Sequence, residues 1–261
     1  MSTLRIGSHQ RRTLELVLTF AAPGLLLLIW EVLSRTERID SRFWPAPSSL
    51  WPTAWGLLQD GTLVRNVTVS LGRILVGFVL GAVPGVIFGL AMGLFWPLRV
   101  LLMPIAAAIY SVPKIAILPL VIIVFGTGET AKYVTVGLSI FFLVMLNTMA
   151  GVIAIDPSYR DVARNFGAHP VALFLTVALP GALPAIFTGF RLALGFALVV
   201  IVGTEFIAAK EGIGRFIWES YSIFAIKPMF VGLIVTGLMG WLLTVILDLI
   251  ERAALPWKPT E

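Results

Sequence analysis

Apolar stretches of about twenty residues recur along this chain, and the segments between them hold most of its charge. A charge at the centre of a bilayer costs about 2.5–3.5 kcal/mol on insertion scales. Runs poor in Asp, Glu, Lys and Arg therefore mark candidate membrane helices, which need about 20 residues to cross. Six emerge. The first covers residues 14–33, with Glu15 and Glu31 at the two interfaces. The second is 74–98. The third, 100–128, is interrupted once by Lys114. The fourth is 133–155, the fifth is 184–207 with Arg191 and Glu205 inside it, and the sixth is 228–247. Two stretches outside these runs are distinctive. Residues 34–65 turn from mixed charge to Phe43-Trp-Pro-Ala-Pro-Ser-Ser-Leu-Trp-Pro52, where Ser48 and Ser49 are placed to cap a short amphipathic helix bearing Leu50, Trp51, Trp55, Leu57 and Leu58. Its tryptophans favour the membrane interface. Residues 210–227 read as an external loop opened by Lys-Glu-Gly-Ile-Gly.

Composition agrees. Hydrophobic residues make up 58% and charged residues 13% of 261, with 24 Gly, 16 Pro and no Cys. Soluble domains carry roughly 25% charged residues. A soluble enzyme, a disordered chain, a disulfide scaffold and a cysteine-ligated metal protein are excluded on that ground. The basic residues are scattered, without a block or an aromatic-interleaved stripe, so nucleic acid is not an expected partner; membrane lipid is. The first run has a basic front (Arg5, Arg11, Arg12), but Glu31-Val-Leu-Ser-Arg35 offers no small-x-small cleavage site, which points to an uncleaved anchor rather than a signal peptide. With the N-terminus inside, eight Lys/Arg fall inside and six outside, too even a split to fix the orientation.

Gly77, Gly81, Gly85, Gly89 and Gly93 stand every fourth residue in the second span. At 100° per residue they form one nearly straight stripe, a seam for close helix packing within the subunit or between two subunits. The third span holds Pro104, Pro113 and Pro119 with Lys114 among them. A broken helix with a charge at membrane depth suits a cavity or a protein interface, and Pro113 and Lys114 are candidates for a translocation path; Lys114 near a membrane face could instead snorkel. Arg191 and Glu205 lie about 21 Å apart along the fifth span, too far to pair, so each needs another partner: Arg73, Asp248 and backbone carbonyls are available. Gating or path roles and structural ion pairs both remain open for them.

One apparent nucleotide motif is set aside. Residues 118–131 end in Gly126-Thr-Gly128-Glu-Thr-Ala131, the form of a dinucleotide-binding turn, but no β-α-β pattern follows and the next acid after Glu129, Asp156, comes late for a ribose contact. A G-x-x-x-x-G-K-[S/T] loop is absent from the sequence, so ATP is not expected on this chain.

Asp156-Pro-Ser-Tyr-Arg-Asp161-Val-Ala163-Arg-Asn-Phe-Gly167-Ala-His-Pro170 is heavily punctuated. Asp156 is a good N-cap and Pro157 suits the first helical position, while Ser158 with Asp161 imitates a capping box. Gly167 and Pro170 end the segment. A separately capped helix of about ten residues, near 157–168, is marginal alone in water and should dock on something.

Asp161-Val-Ala163, then Gly167, then nine residues, then Val177-Ala-Leu179-Pro180 resembles the EAA loop of membrane subunits of binding-protein-dependent ABC importers: E-A-A, three residues, G, nine residues, I-x-L-P. The departures are Asp161, Val162 and Val177. The resemblance runs from about Pro47 to Trp257 and includes Pro113-Lys-Ile-Ala-Ile-Leu-Pro119, Phe125-Gly-Thr-Gly-Glu129, Leu146-Asn-Thr, Leu179-Pro-Gly-Ala-Leu-Pro184, Thr188-Gly-Phe-Arg191 and Gly212-Ile-Gly214. Together these look like the sulfonate, taurine and nitrate branch. The resemblance implies an all-α polytopic fold of six transmembrane helices, the type I importer membrane-domain (MetI-like) fold, in a bacterial inner membrane with both termini cytoplasmic. The implied layout is a cytoplasmic N-terminus 1–13, an anchor 14–33, a periplasmic segment 34–65, a permease core 66–252 and a cytoplasmic C-terminus 253–261. It also implies a second permease copy, two ATPase subunits that bind ATP and Mg, and a periplasmic solute-binding protein, with no cofactor and no catalytic site on this chain. Arg160, Asp161, Ala163, Arg164, Phe166, Gly167 and Ala168 are then the coupling contacts to the ATPase. Lys114 and Arg191, as positive groups at membrane depth, favour a small anion as substrate. The competing classes are weaker. The two histidines, His9 and His169, lie outside the spans, which disfavours an intramembrane enzyme, and a secondary carrier would need broken helices in both halves.

Overall fold

The computed structural model describes the backbone of residues 8–257 and the side chains of residues 21–257. The described residues form helices joined by short turns, with no strand among them. In chain order these are α1 (Ser8–Arg35), α2 (Pro47–Gln59), α3 (Thr62–Leu94), α4 (Trp96–Tyr110), α5 (Leu118–Phe125), α6 (Glu129–Ile153), α7 (Pro157–Asn165), α8 (Pro170–Leu173), α9 (Leu179–Ala208), α10 (Ile213–Ser222) and α11 (Ile226–Ala254).

The centre of the bundle is the α3–α6 pair. A Cβ added to Gly77, Gly81, Gly85, Gly89 or Gly93 would lie 2.3–2.9 Å from α6 atoms, opposite Val136, Ile140, Val144, Thr148 and Val152 respectively. The stripe is therefore a seam inside the subunit. It receives a ridge of β-branched side chains that also recurs every fourth residue. Both series ascend together, so α3 and α6 run parallel, joined by the return through α4 and α5. In lipid there is no hydrophobic drive between helices, and this backbone approach supplies dispersion in its place. Across α6, Gly151 meets Ala182 and Ala185 while Gly189 meets Val144 and Asn147, which makes α9 antiparallel to α6. Leu198 against Gly240, with Arg191 against Asp248, sets α11 antiparallel to α9. One end of the bundle thus gathers the starts of α3, α6, α10 and α11 with the end of α9. The other gathers the ends of α3, α6 and α11 with α7 and α8. Trp30 of α1 and Trp44 pack on Phe230 of α11, with ring centroids 5.6 and 5.8 Å apart.

Several expected boundaries change. Among the described residues, α3, α6, the continuous 170–208 segment and α11 are long and apolar enough to cross a membrane. The α4/α5 pair makes a fifth crossing if counted as one span, bent by 86°. The expected first span falls within α1, where side chains before residue 21 lie outside the described set. The third span is thus two helices, because Pro113 cannot donate to the α4 ladder and the chain re-enters through a 3₁₀ turn at Lys114–Ile117. The fifth span begins well before Pro184. A π turn at Phe174–Ala178 widens the helix just before Pro180, whose missing N–H would otherwise break it. Residues 210–227 contain a helix, α10, as well as loop. At α2 the two serines do not cap as expected: Ser48 is engaged by Glu31, and Ser49 Oγ donates to the Ala46 carbonyl.

Candidate functional site

α7 is set apart from the bundle by its own punctuation. The Asp156 carboxylate accepts the Ser158 N–H at 2.8 Å, and Pro157 occupies the first turn. That bond from the Ser158 backbone holds the Asp156 carboxyl below the usual carboxylate range. The capping box expected from Ser158 and Asp161 does not form, because with Asp156 at the cap Ser158 is already inside the helix, and Asp161 points to solvent. At the far end Ala168 N–H donates to Ala163 O (3.0 Å) and Gly167 N–H to Arg164 O (2.8 Å), with Gly167 at φ +78°. This is the paired closure that a left-handed residue after a helix allows.

The helix presents a polarised surface. Tyr159, Val162 and Phe166, spaced i, i+3, i+7, are exposed, Phe166 by 88%. Asp161 and Arg164 lie exposed beside them, while Arg160, Ala163 and Ala168 are half-buried against the bundle. An apolar stripe of this kind on a short helix lying outside the core is a surface awaiting a partner. Of the seven coupling candidates, Asp161, Arg164, Phe166 and Gly167 face outward, and Arg160, Ala163 and Ala168 face the protein.

The four membrane-depth candidates do not converge. Lys114 is buried, and its Nζ donates to the carbonyls of Ile109 (2.7 Å), Tyr110 (3.2 Å) and Val112 (2.8 Å), closing the open C-terminus of α4 that Pro113 leaves behind. The rings of Phe142 and Tyr110 flank it, with centroids at 5.4 and 5.9 Å. Arg191 joins α9 to α11 near the α7 end, with Nη2 at 2.6 Å from Asp248 and 2.7 Å from Glu251.

Glu205 is fully enclosed near the opposite end. Its carboxylate accepts from Ser70 Oγ (2.8 Å), Arg73 Nη1 (2.7 Å) and the Gly214 N–H (2.8 Å). Arg73 continues to Glu129 (2.6 Å) and to the Glu211 carbonyl, and Lys132 also reaches Glu129 (2.9 Å). Ser70 Oγ and Asn66 Oδ1 accept the Ile213 and Gly212 N–H groups, each at 2.8 Å. The network thus fastens the start of α10 to α3, α6 and α9. Gly212, at φ +124°, is required there: a Cβ would stand 2.3 Å from the Glu205 carboxyl carbon. Asn66, Ser70 and Arg73, spaced i, i+4, i+7, share one face of α3, a signal that was available in the sequence for a polar network. A cavity of about 830 Å³ opens beside it, lined by Arg73, Glu129, Lys132, Tyr133, Lys210 and Glu211 among others. Among the described residues no group of His, Cys, Asp and Glu is arranged to hold a metal.

Residues 85–257 match the family described as binding-protein-dependent transport system inner membrane component. The chain is 34% identical to a putative aliphatic sulfonates transport permease of Escherichia coli, covering 91% of this chain and 90% of that one. It is 31% identical to the taurine transport system permease of the same organism (93% and 90% covered) and 29% identical to a nitrate import permease of Leptolyngbya laminosa (96% and 91% covered). Among solved structures, the inward-facing MetNI methionine ABC transporter superposes with a TM-score of 0.64 at 21% identity, over 75% of this chain and 97% of that chain.

Proposed function

The chain belongs to the family of binding-protein-dependent transport system inner membrane components, and from that premise we propose that it forms the translocation path of an importer for a small anion: an aliphatic sulfonate, taurine or nitrate. It is an ABC importer permease with the MetI-type all-α fold. In the proposed assembly two such chains pair as a homodimer, two ATPase subunits bind ATP and Mg and hydrolyse the ATP, and a periplasmic binding protein delivers the solute. The α7 end, with both termini, faces the cytoplasm, and the end built around Glu205 faces the periplasm.

α7 is the coupling helix in this reading. The observation that carries it is a capped helix, outside the bundle, with an unpartnered Tyr159–Val162–Phe166 stripe. Gly167→Arg tests it. No atom lies within 4 Å of the position of a Cβ there, so the fold survives apart from about 1–2 kcal/mol of left-handed strain, while the guanidinium blocks the docking face. Transport and partner-dependent ATP hydrolysis should be abolished. A well-expressed Gly167→Arg variant that transports normally would refute the assignment.

The substrate class rests on the relatives rather than on membrane-depth charge. Lys114 is occupied by three carbonyls and Arg191 by two carboxylates, so neither offers a free cation to a passing anion. Pro113, Lys114, Arg191 and Glu205 act on the path by holding helix ends and helix pairs in place. Substrate-stimulated ATP hydrolysis by the reconstituted complex distinguishes the solutes. Failure of sulfonates, taurine and nitrate together with success of a neutral compound would overturn the anion reading.

A further inference from the structure

We infer that Arg160 is the strut that ties α7 to the membrane helices, and that it transmits the motion of α7 rather than contacting the ATPase. The inference rests on the reading of α7 as the coupling helix. Unlike Tyr159 and Asp161 on either side, Arg160 is turned inward. Its Nη2 donates to the carbonyl of Val152 at 3.1 Å. Among the described residues this is the only side-chain hydrogen bond from α7 to a membrane-spanning helix.

The acceptor is placed where a pull is felt by three helices at once. Val152 belongs to the last turn of α6 and is fully buried. It is the residue that closes the glycine seam against Gly93 of α3, and it packs with Ala182 and Ile186 of α9. A displacement of α7 therefore reaches α3, α6 and α9 through one carbonyl. The rest of α7 packs chiefly on α8 and the π turn, the opening turns of the 170–208 segment, so the Arg160 bond is what adds a direct polar link to α6. The Arg160 Nε is enclosed and has no acceptor.

The absence of cysteine in the sequence makes the test direct. Nitroxide labels are placed at Phe95→Cys, beyond the end of α3, and Asn165→Cys, at the end of α7. The labelled chain is assembled with its ATPase subunits and an excess of unlabelled chain in lipid nanodiscs. Distances are recorded without nucleotide and after trapping with ATP and vanadate. With Arg160 present the distribution should be narrow in both states and should move as one peak. In Arg160→Met it should at least double in width while the ATPase subunits still co-purify; Arg160→Lys, which keeps a donor, should narrow it again. An unchanged width in Arg160→Met overturns the strut, and so does a lysine variant as broad as the methionine one. Loss of the ATPase from Arg160→Met would instead assign the residue to the partner contact. Phe166→Ala is the separate control. It should release the ATPase, and its failure to do so counts against α7 as the docking helix while leaving the strut to be judged by the label widths.

Discussion

Gly81→Ala probes the seam at its tightest point. The added Cβ would stand 2.3 Å from the Gly137 carbonyl oxygen and 2.9 Å from Ile140 Cβ. Real Cβ contacts essentially never fall under 3.0 Å, so α3 and α6 must separate by about 0.7 Å. The obstacle is backbone, and no rotamer change relieves it. A gap of 0.5–1 Å forfeits a quarter to a half of the dispersion at each affected contact, and overpacking of a close-fitted interior costs about 1–3 kcal/mol. Against this, alanine is favoured over glycine inside a helix by about 1 kcal/mol. The net loss is about 0–2 kcal/mol. Gly195→Ala and Gly237→Ala are the matched controls, since both have open space where the Cβ would go and gain the propensity without the clash. The seam variant and the controls should differ by the overpacking cost, about 1–3 kcal/mol, or roughly 2–12 °C in midpoint for a chain of this size. Thermal unfolding of the purified protein in one detergent, followed by tryptophan fluorescence, reads the difference. A Gly81→Ala midpoint equal to or above that of Gly195→Ala would refute the view that backbone proximity holds α3 to α6.

Three further outcomes follow from the polar groups. Glu205→Gln removes the buried partner of Arg73, and because Glu129 still faces that guanidinium the loss should sit near the low end for a broken buried pair, about 3 kcal/mol; Glu219→Gln, in the exposed pair with Arg215, should cost under about 1 kcal/mol, and equal midpoints for the two would overturn the clamp. Lys114→Met uncaps three carbonyls and should lose about 2 kcal/mol, whereas retained stability with abolished uptake would put Lys114 in the path itself. For α7, the lowered Asp156 carboxyl makes its cap fully present above the usual carboxylate range and lost only as pH falls through the depressed value. Amide exchange at Ser158, corrected for the intrinsic rate, should therefore show constant protection from pH 8 to pH 5 in the wild type and reduced protection in Asp156→Ala; protection that fades between pH 7 and pH 5 would contradict the cap.

Legibility along the chain followed the range of the interaction. The capped helix near residue 160 was readable because Asp156, Pro157 and Gly167 act on neighbours a few positions away. The glycine stripe was readable as a seam for the same reason, but its partner was not. Val136, Ile140, Val144, Thr148 and Val152 repeat with the same spacing, yet several other apolar helices offered a ridge of similar character. Asp248 was correctly named among the possible partners of Arg191 and Arg73 among those of Glu205, since few charges were available at membrane depth. The roles of Asn66, Ser70 and Glu129 were missed: the face that Asn66 and Ser70 share with Arg73 marks a polar network, but nothing local to it announces that its partners would be the Gly212 and Ile213 N–H groups. Arg160 reads as one more charge on a docking helix until its direction is known.

By itself the sequence determined that this chain crosses a membrane repeatedly, that it carries a separately capped helix outside the spans, and which family it resembles, because hydropathy, capping and motif spacing are properties of contiguous residues. Only the tertiary structure decided that the third span breaks into two helices, that Lys114 and Arg191 are occupied, that Glu205 is a clamp for α10, and that Arg160 faces inward onto Val152. Those depend on which backbone donors and carbonyls from distant segments are left without partners, and inside a bilayer every such group must find one.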